Sequence, residues 1–154
     1  MSTDRPSLQP DSFGWALNRL ADKVVGIRYL AVTSADGLLV VDAVPTDADI
    51  APYRRINEHY AASITGCLSL LNAAAAQVDG GELRLMHVSM DKALILACMI
   101  DDHARLAALA DPGTDLGALG YEMTTFVDQF GHVLTPELRQ RLNPTVTATR
   151  VALP

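Results

Sequence analysis

Apolar and polar positions alternate along this chain in two distinct periods, and the changes of period predict its elements. Leu17, Leu20, Ala21 and Val24 recur at helical spacing behind Asp11 and Ser12, either of which suits a helix N-cap, and Gly26 is a natural stop. Ile27-Arg28-Tyr29-Leu30-Ala31-Val32-Thr33-Ser34 and Leu38-Leu39-Val40-Val41 are β-rich runs around Asp36-Gly37, which predicts a hairpin because glycine accepts the positive φ of a tight turn. From about Asp49 to Val78 the period becomes three to four. Ile50, Tyr53, Ile56, Tyr60, Ile64, Cys67 with Leu68, Leu71, Ala75 and Val78 form one stripe, Pro52 fits the first turn, and Gly80-Gly81 ends the run.

Leu83–Val88 and Ala93–Met99 flank Met90-Asp91-Lys92 as a second hairpin, its latter strand buried on both faces. His103–Ala110 reads two ways: alanine and leucine favour a helix, yet a length of eight residues before Asp111-Pro112-Gly113 suits a third strand. Thr114 or Asp115 caps a last main helix with Leu116, Leu119, Met123, Phe126, Val127 and Phe130 on one face and Gly131 closing it. A helical turn follows Thr135-Pro136-Glu137. The pattern predicts an α+β fold in which helices cover a mainly antiparallel sheet. Residues 1–12 are expected to be a flexible tail, 13–131 the domain, and 132–154 a short turn followed by a loose tail.

One helix spanning the whole central stripe, roughly 29 residues at about 1.5 Å each, is a rod of about 44 Å. A domain with a radius of gyration of ~13 Å is only ~26 Å across, so such a rod overhangs it or meets a second copy. Small residues (Ala61, Ala62, Ser63, Thr65, Gly66, Ser69 and Ala73 to Ala76) let another helix approach closely. The alternative is a well-packed core helix of high propensity. Ala61, Ile64, Thr65, Leu68, Leu71, Asn72 and Ala75 are the candidate dimer contacts on this helix.

Composition narrows the function classes. The chain of 154 residues is 49% apolar and 5% aromatic with a net charge of -6, too apolar for disorder and too acidic for a dedicated nucleic-acid binder. Its longest apolar run, Leu94 to Ile100, is too short to cross a bilayer. Met1-Ser2-Thr3-Asp4-Arg5-Pro6 lacks the apolar core of a secretory signal, so a cytoplasmic location is expected. Cys67 and Cys98 sit in apolar segments and are expected to be reduced, buried thiols; nothing in the sequence asks for a disulfide.

Catalytic patterns are lacking. Neither phosphate-cradling glycine motif occurs, no serine stands in a Gly-x-Ser-x-Gly elbow, and His59, His87, His103 and His132 are scattered. Asp101-Asp102-His103 suits a turn or cap better than a metal site, since adjacent side chains diverge. His59 and Glu122 lack a recognisable catalytic partner. The chain is therefore expected to be no enzyme and to carry no cofactor or metal. Arg54-Arg55 forms a cationic doublet whose default meaning is a solvated helix face.

The order of these pieces resembles the roadblock / dynein light chain domain family, particularly its actinobacterial form. Matching segments are Val32-Thr33-Ser34-Ala35-Asp36-Gly37-Leu38, Leu68-Ser69-Leu70-Leu71, Gly80-Gly81-Glu82-Leu83, Asp111-Pro112-Gly113-Thr114-Asp115-Leu116-Gly117 and Tyr121-Glu122-Met123, within residues 13–131. The resemblance implies a five-stranded antiparallel sheet with one long helix on one face and two helices on the other, in the order α-β-β-α-β-β-β-α. It makes His103–Ala110 the fifth strand. It also implies a homodimer joined by the long helices and by the strand Glu82 to Ser89, which adds Leu83, Leu85 and His87 to the candidate contacts.

Bacterial proteins of this kind accompany small Ras-like GTPases as activating partners, or as scaffolds that join the GTPase to a sensor kinase. An adaptor role of this sort follows, with Arg54, Arg55 and Glu58 as candidate partner contacts and no nucleic acid or membrane insertion. The segment around Leu134-Thr135-Pro136-Glu137-Leu138 is additional to the simplest family pattern; it either serves a partner or covers an apolar edge. A second reading, from another class, is a small-ligand sensor with a pocket on a covered sheet face, although few aromatics are at hand to line one.

Overall fold

The hairpins form where the Asp-Gly and Met-Asp-Lys segments predict them. β1 (Ile27–Ser34) and β2 (Leu39–Ala43) pair antiparallel. Gly37, at φ +84°, turns the chain so close to the neighbouring helix that a Cβ there would stand 3.3 Å from Ala62 Cα. β3 (Leu85–Ser89) pairs with β4 (Leu94–Asp101), and β5 (Ala104–Ala110) lies between β4 and β1. The antiparallel sheet therefore runs β2-β1-β5-β4-β3, with β2 and β3 at its edges. β5 settles the ambiguity at His103–Ala110. Its alanines and leucines favour a helix in isolation, but a central position buries nearly every one of them. β3 starts at Leu85, three residues later than expected, so Glu82, Leu83 and Arg84 precede it.

The structure, a computed structural model, describes residues 10–143. The tails expected over residues 1–9 and 144–154 lie outside the described residues. α1 (Pro10–Lys23) begins ahead of the expected caps, with Asp11 and Ser12 in its first turn. Phe13, Leu17, Leu20 and Val24 face inward. The chain then reverses at Gly26, φ +107°, where a Cβ would fall 2.2 Å from Thr114 Oγ1. α4 (Leu116–Phe130) is capped by Asp115, whose carboxylate accepts the Ala118 N–H at 3.1 Å. Leu119, Met123 and Phe126 are buried, whereas Leu116, expected on the same face, is exposed. Gly131 leaves the helix at φ -59°, an ordinary helical value, and leads into a 3₁₀ turn rather than a left-handed stop.

Alternation along β5 divides two cores. Ala104, Leu106, Ala108 and Ala110 point to the α1 and α4 side, while Ala107 points to the opposite face. α5 (Pro136–Leu142), capped by Thr135 Oγ1 accepting the Leu138 N–H at 3.2 Å, adds Leu138 to the first core beside Val133 and Leu134. Asn143 donates to the Leu39 carbonyl of β2. The segment 132–143, read from sequence as a short turn and a loose tail, is thus part of the packed domain and covers apolar surface near β2.

Candidate interaction surface

The second face of the sheet is covered by α3 (Asn57–Gln77), and its geometry departs from the single rod expected. A short α2 (Ala51–Arg54) precedes it, and the chain turns at Arg55 and Ile56. At 21 residues α3 is about 32 Å long at ~1.5 Å per residue. The turn has an aromatic purpose. Tyr53 and Tyr60 would stand about 10 Å apart along an unbroken helix, yet both meet the ring of Tyr29, at 4.6 Å stacked and 5.6 Å edge-on. Tyr29 donates its hydroxyl to Asp42 Oδ2 at 2.8 Å; burial first, then the Asp42 charge, pushes its pKa well above the ordinary phenol value. The Tyr60 hydroxyl has no hydrogen-bond partner among the described residues, and burial pushes its pKa up as well.

From this anchor α3 crosses the sheet and leaves it. Ala61, Ile64, Thr65 and Leu68 are its buried residues, of which Ile64 and Leu68 pack with Met86, Ala97 and Ala107. These four are buried within their own chain. Beyond Leu68 the helix is largely uncovered: Leu70 and Val78 are each 74% exposed and Leu71 42%. Asn72 is exposed and Ala75 half-buried. Asn72, Leu83 and Leu85 share a cleft of about 660 Å³ at the β3 end of the sheet with Cys98, Met99 and Ile100, and no aromatic ring lines it among the described residues. That lining is poor support for a ligand sensor. On β3 itself Leu85 and His87 are exposed while Met86 is buried.

Arg54, Arg55 and Glu58 are all exposed where α2 meets α3, far along the helix from Leu71 and Val78. Cys67 is exposed, contrary to expectation; Cys98 is buried, and desolvation pushes its thiol up to about 12. Asp101 Oδ1 accepts the His103 N–H at 2.7 Å, so the acidic cluster closes the β4–β5 turn. Arg105, opposite Thr33 on the α3 face, is buried with its Nε unpartnered, and desolvation lowers its pKa against the charges of Asp101 and Asp102. Sequence reasoning missed the outward display of Leu70, and also Trp15, which stands off the inward stripe of α1. The Trp15 position was legible, since it falls between the buried residues Phe13 and Leu17.

Comparison with known proteins places this architecture. No family model and no curated protein sequence matches the chain. Among solved structures, a Roadblock/LC7 domain from Streptomyces avermitilis superposes with a TM-score of 0.67 at 27% identity, over 79% of this chain and 98% of that one. The chain has the fold of a roadblock domain. The roadblock fold is also shared with MglB of Myxococcus xanthus, at TM-score 0.68 and 15% identity over 79% of this chain and 94% of that one. The gliding protein MglB of Thermus thermophilus matches at TM-score 0.70 and 15% identity, over 84% and 96% respectively. At those identities the MglB likeness concerns the fold. In this roadblock fold no helix among the described residues is long and apolar enough to cross a membrane.

Proposed function

We propose that the chain is a non-enzymatic homodimer that regulates or scaffolds a small Ras-like GTPase in a cytoplasmic signalling complex, with a sensor kinase as a further member. The observation that carries the dimer is the uncovered row Leu70, Leu71 and Val78 beside the edge strand β3. A second copy related by a two-fold axis covers both at once, helix against helix and β3 against β3, and closes an edge that would otherwise template aggregation. Leu71, Asn72, Ala75, Leu83, Leu85 and His87 form the proposed contact. Ala61, Ile64, Thr65 and Leu68 act behind it by fixing α3 to the sheet. Residues 13–131 are the proposed roadblock unit, extended by the packed segment through α5.

The GTPase reading is supported by the resemblance to roadblock proteins that accompany such enzymes and by the fold shared with MglB. Arg54, Arg55 and Glu58 are the proposed partner contacts, exposed at the end of α3 away from the dimer edge. The test is co-purification with small Ras-like GTPases from the same genome, followed by GTP hydrolysis with and without the chain. A stable complex weakened by Arg54→Glu with Arg55→Glu is expected. Absence of a complex with every such GTPase contradicts the reading and leaves the fold untouched.

A further inference from the structure

The face opposite α3 carries a groove of a different character. α1 and α4 lie side by side there, and Phe13 meets Phe126 edge to face at 5.5 Å between ring centroids. Alongside, the helices leave a socket of about 180 Å³ walled by Trp15, Arg19 and Lys23 of α1 and by Glu122, Phe126 and Phe130 of α4. Small-molecule sites span roughly 300–1,000 Å³, so this one suits an inserted side chain better than a metabolite.

Trp15, Arg19 and Lys23 follow one another at four-residue steps and so share one line along α1. Trp15 is 57% exposed, and the Arg19 guanidinium lies over its ring at 4.8 Å. That stacking holds the planar fork in place while leaving its N–H edge for an acceptor. Among the described residues the one ion pair is Arg28 with Asp111, so Arg19 and Lys23 are both without a carboxylate partner. On a chain of net charge -6, the groove thus sets two unpaired cations and an exposed tryptophan against a single carboxylate, Glu122. Tryptophan and arginine are the residue types that most often anchor protein interfaces.

We propose that the α1–α4 groove docks an acidic amphipathic helical segment of a protein partner, which seats an apolar side chain in the socket and its carboxylates on Arg19 and Lys23. Charge complementarity selects this occupant. A polyanionic nucleic acid or an anionic membrane calls for many cations, and a chain of net charge -6 with two cations in this groove is poorly suited to either. Helix-in-groove recognition needs only a few apolar anchors with flanking charge. The groove lies on the other side of the sheet from α3, so a partner seated here leaves α3, β3 and Arg54-Arg55 accessible. The inference goes beyond the proposed function and does not rest on it.

The lone tryptophan makes the test direct, because Trp15 is the only indole in the chain. The full chain is titrated with a synthetic helical peptide bearing a leucine stripe flanked by glutamates, and Trp15 emission is followed. Two control peptides replace the glutamates by lysines or the leucines by serines. A saturable change with the parent peptide alone is expected, weakened at least ~10-fold by Arg19→Glu with Lys23→Glu and by added salt. Both substitutions are at exposed positions, so an unchanged melting temperature verifies that the variant is folded. No saturable change, equal binding of the lysine peptide, binding indifferent to the double variant, or an equal response to sodium propionate overturns the proposal. Loss of dimerisation or of GTPase binding in other variants does not alter these outcomes.

Discussion

The hydroxyls of Thr33 on β1 and Thr65 on α3 lie 3.0 Å apart in a buried contact, so a polar clasp joins the long helix to the strand next to the β2 edge of the sheet. Thr65 Oγ1 also approaches the Ser34 carbonyl at 3.4 Å. Removing one partner leaves the other buried without a bond, which costs about 1–3 kcal/mol, whereas removing both restores an apolar contact. Thr65→Val is therefore expected to destabilise the fold by about 1–3 kcal/mol in urea unfolding. Thr33→Val combined with Thr65→Val should cost less than the sum of the single changes. Additive losses would show that the clasp is not an energetic unit.

Tyr60 presents the reverse case, a buried hydroxyl with no hydrogen-bond partner among the described residues. Tyr60→Phe removes an unsatisfied polar atom while keeping the ring against Tyr29, and is expected to stabilise the fold by about 1 kcal/mol. The same residue governs alkaline behaviour. The pKa values of Tyr60, Tyr29 and Cys98 are all raised in the folded chain. Their stabilising contribution is complete below the unfolded values, about 8.5 for a thiol and about 10 for a phenol. Above those values the unfolded chain releases protons that the folded chain holds, so stability falls as pH rises. Denaturant midpoints measured from pH 8 to 11 should decline, less steeply in Tyr60→Phe. A flat profile contradicts the burial of these groups.

The two thiols should part company in a labelling experiment. Cys67 is exposed on α3, while Cys98 is buried under the first core with its thiol pushed up to about 12. Only the thiolate reacts, so an aromatic disulfide reagent at pH 8 is expected to modify Cys67 in the native chain and Cys98 only after unfolding. Rapid native labelling of Cys98, located by mass spectrometry, would contradict the packing of β4.

Local chemistry made much of this fold legible: Asp36-Gly37 marked the first hairpin, Asp115 and Thr135 marked helix starts, and Gly26 marked the end of α1. The failures share a cause. Apolar periodicity runs unbroken from Tyr53 through Ile56 to Tyr60, so the turn at Arg55-Ile56 was invisible until Tyr29 supplied the ring that both tyrosines meet. On α3 Ile64, Leu68, Leu71 and Ala75 share one apolar stripe, and periodicity cannot say where along it the chain's own sheet stops covering the helix. β5 was ambiguous in its residues because a central strand position, a tertiary fact, overrides the helical preference of Ala104–Ala110. The groove at Trp15 and Arg19 required α4 to be placed beside α1.

The interface is tested most directly by sedimentation equilibrium at micromolar concentration on the full chain and two variants. The chain is expected to sediment as a dimer. Leu71→Arg places a charge on the uncovered row and should raise the dissociation constant at least ~10-fold with the monomer's melting temperature preserved. Leu68→Arg should instead unfold the chain, because Leu68 is buried in its own core. A chain that is monomeric throughout that range, or a dimer indifferent to Leu71→Arg, would contradict a contact built on the second half of α3.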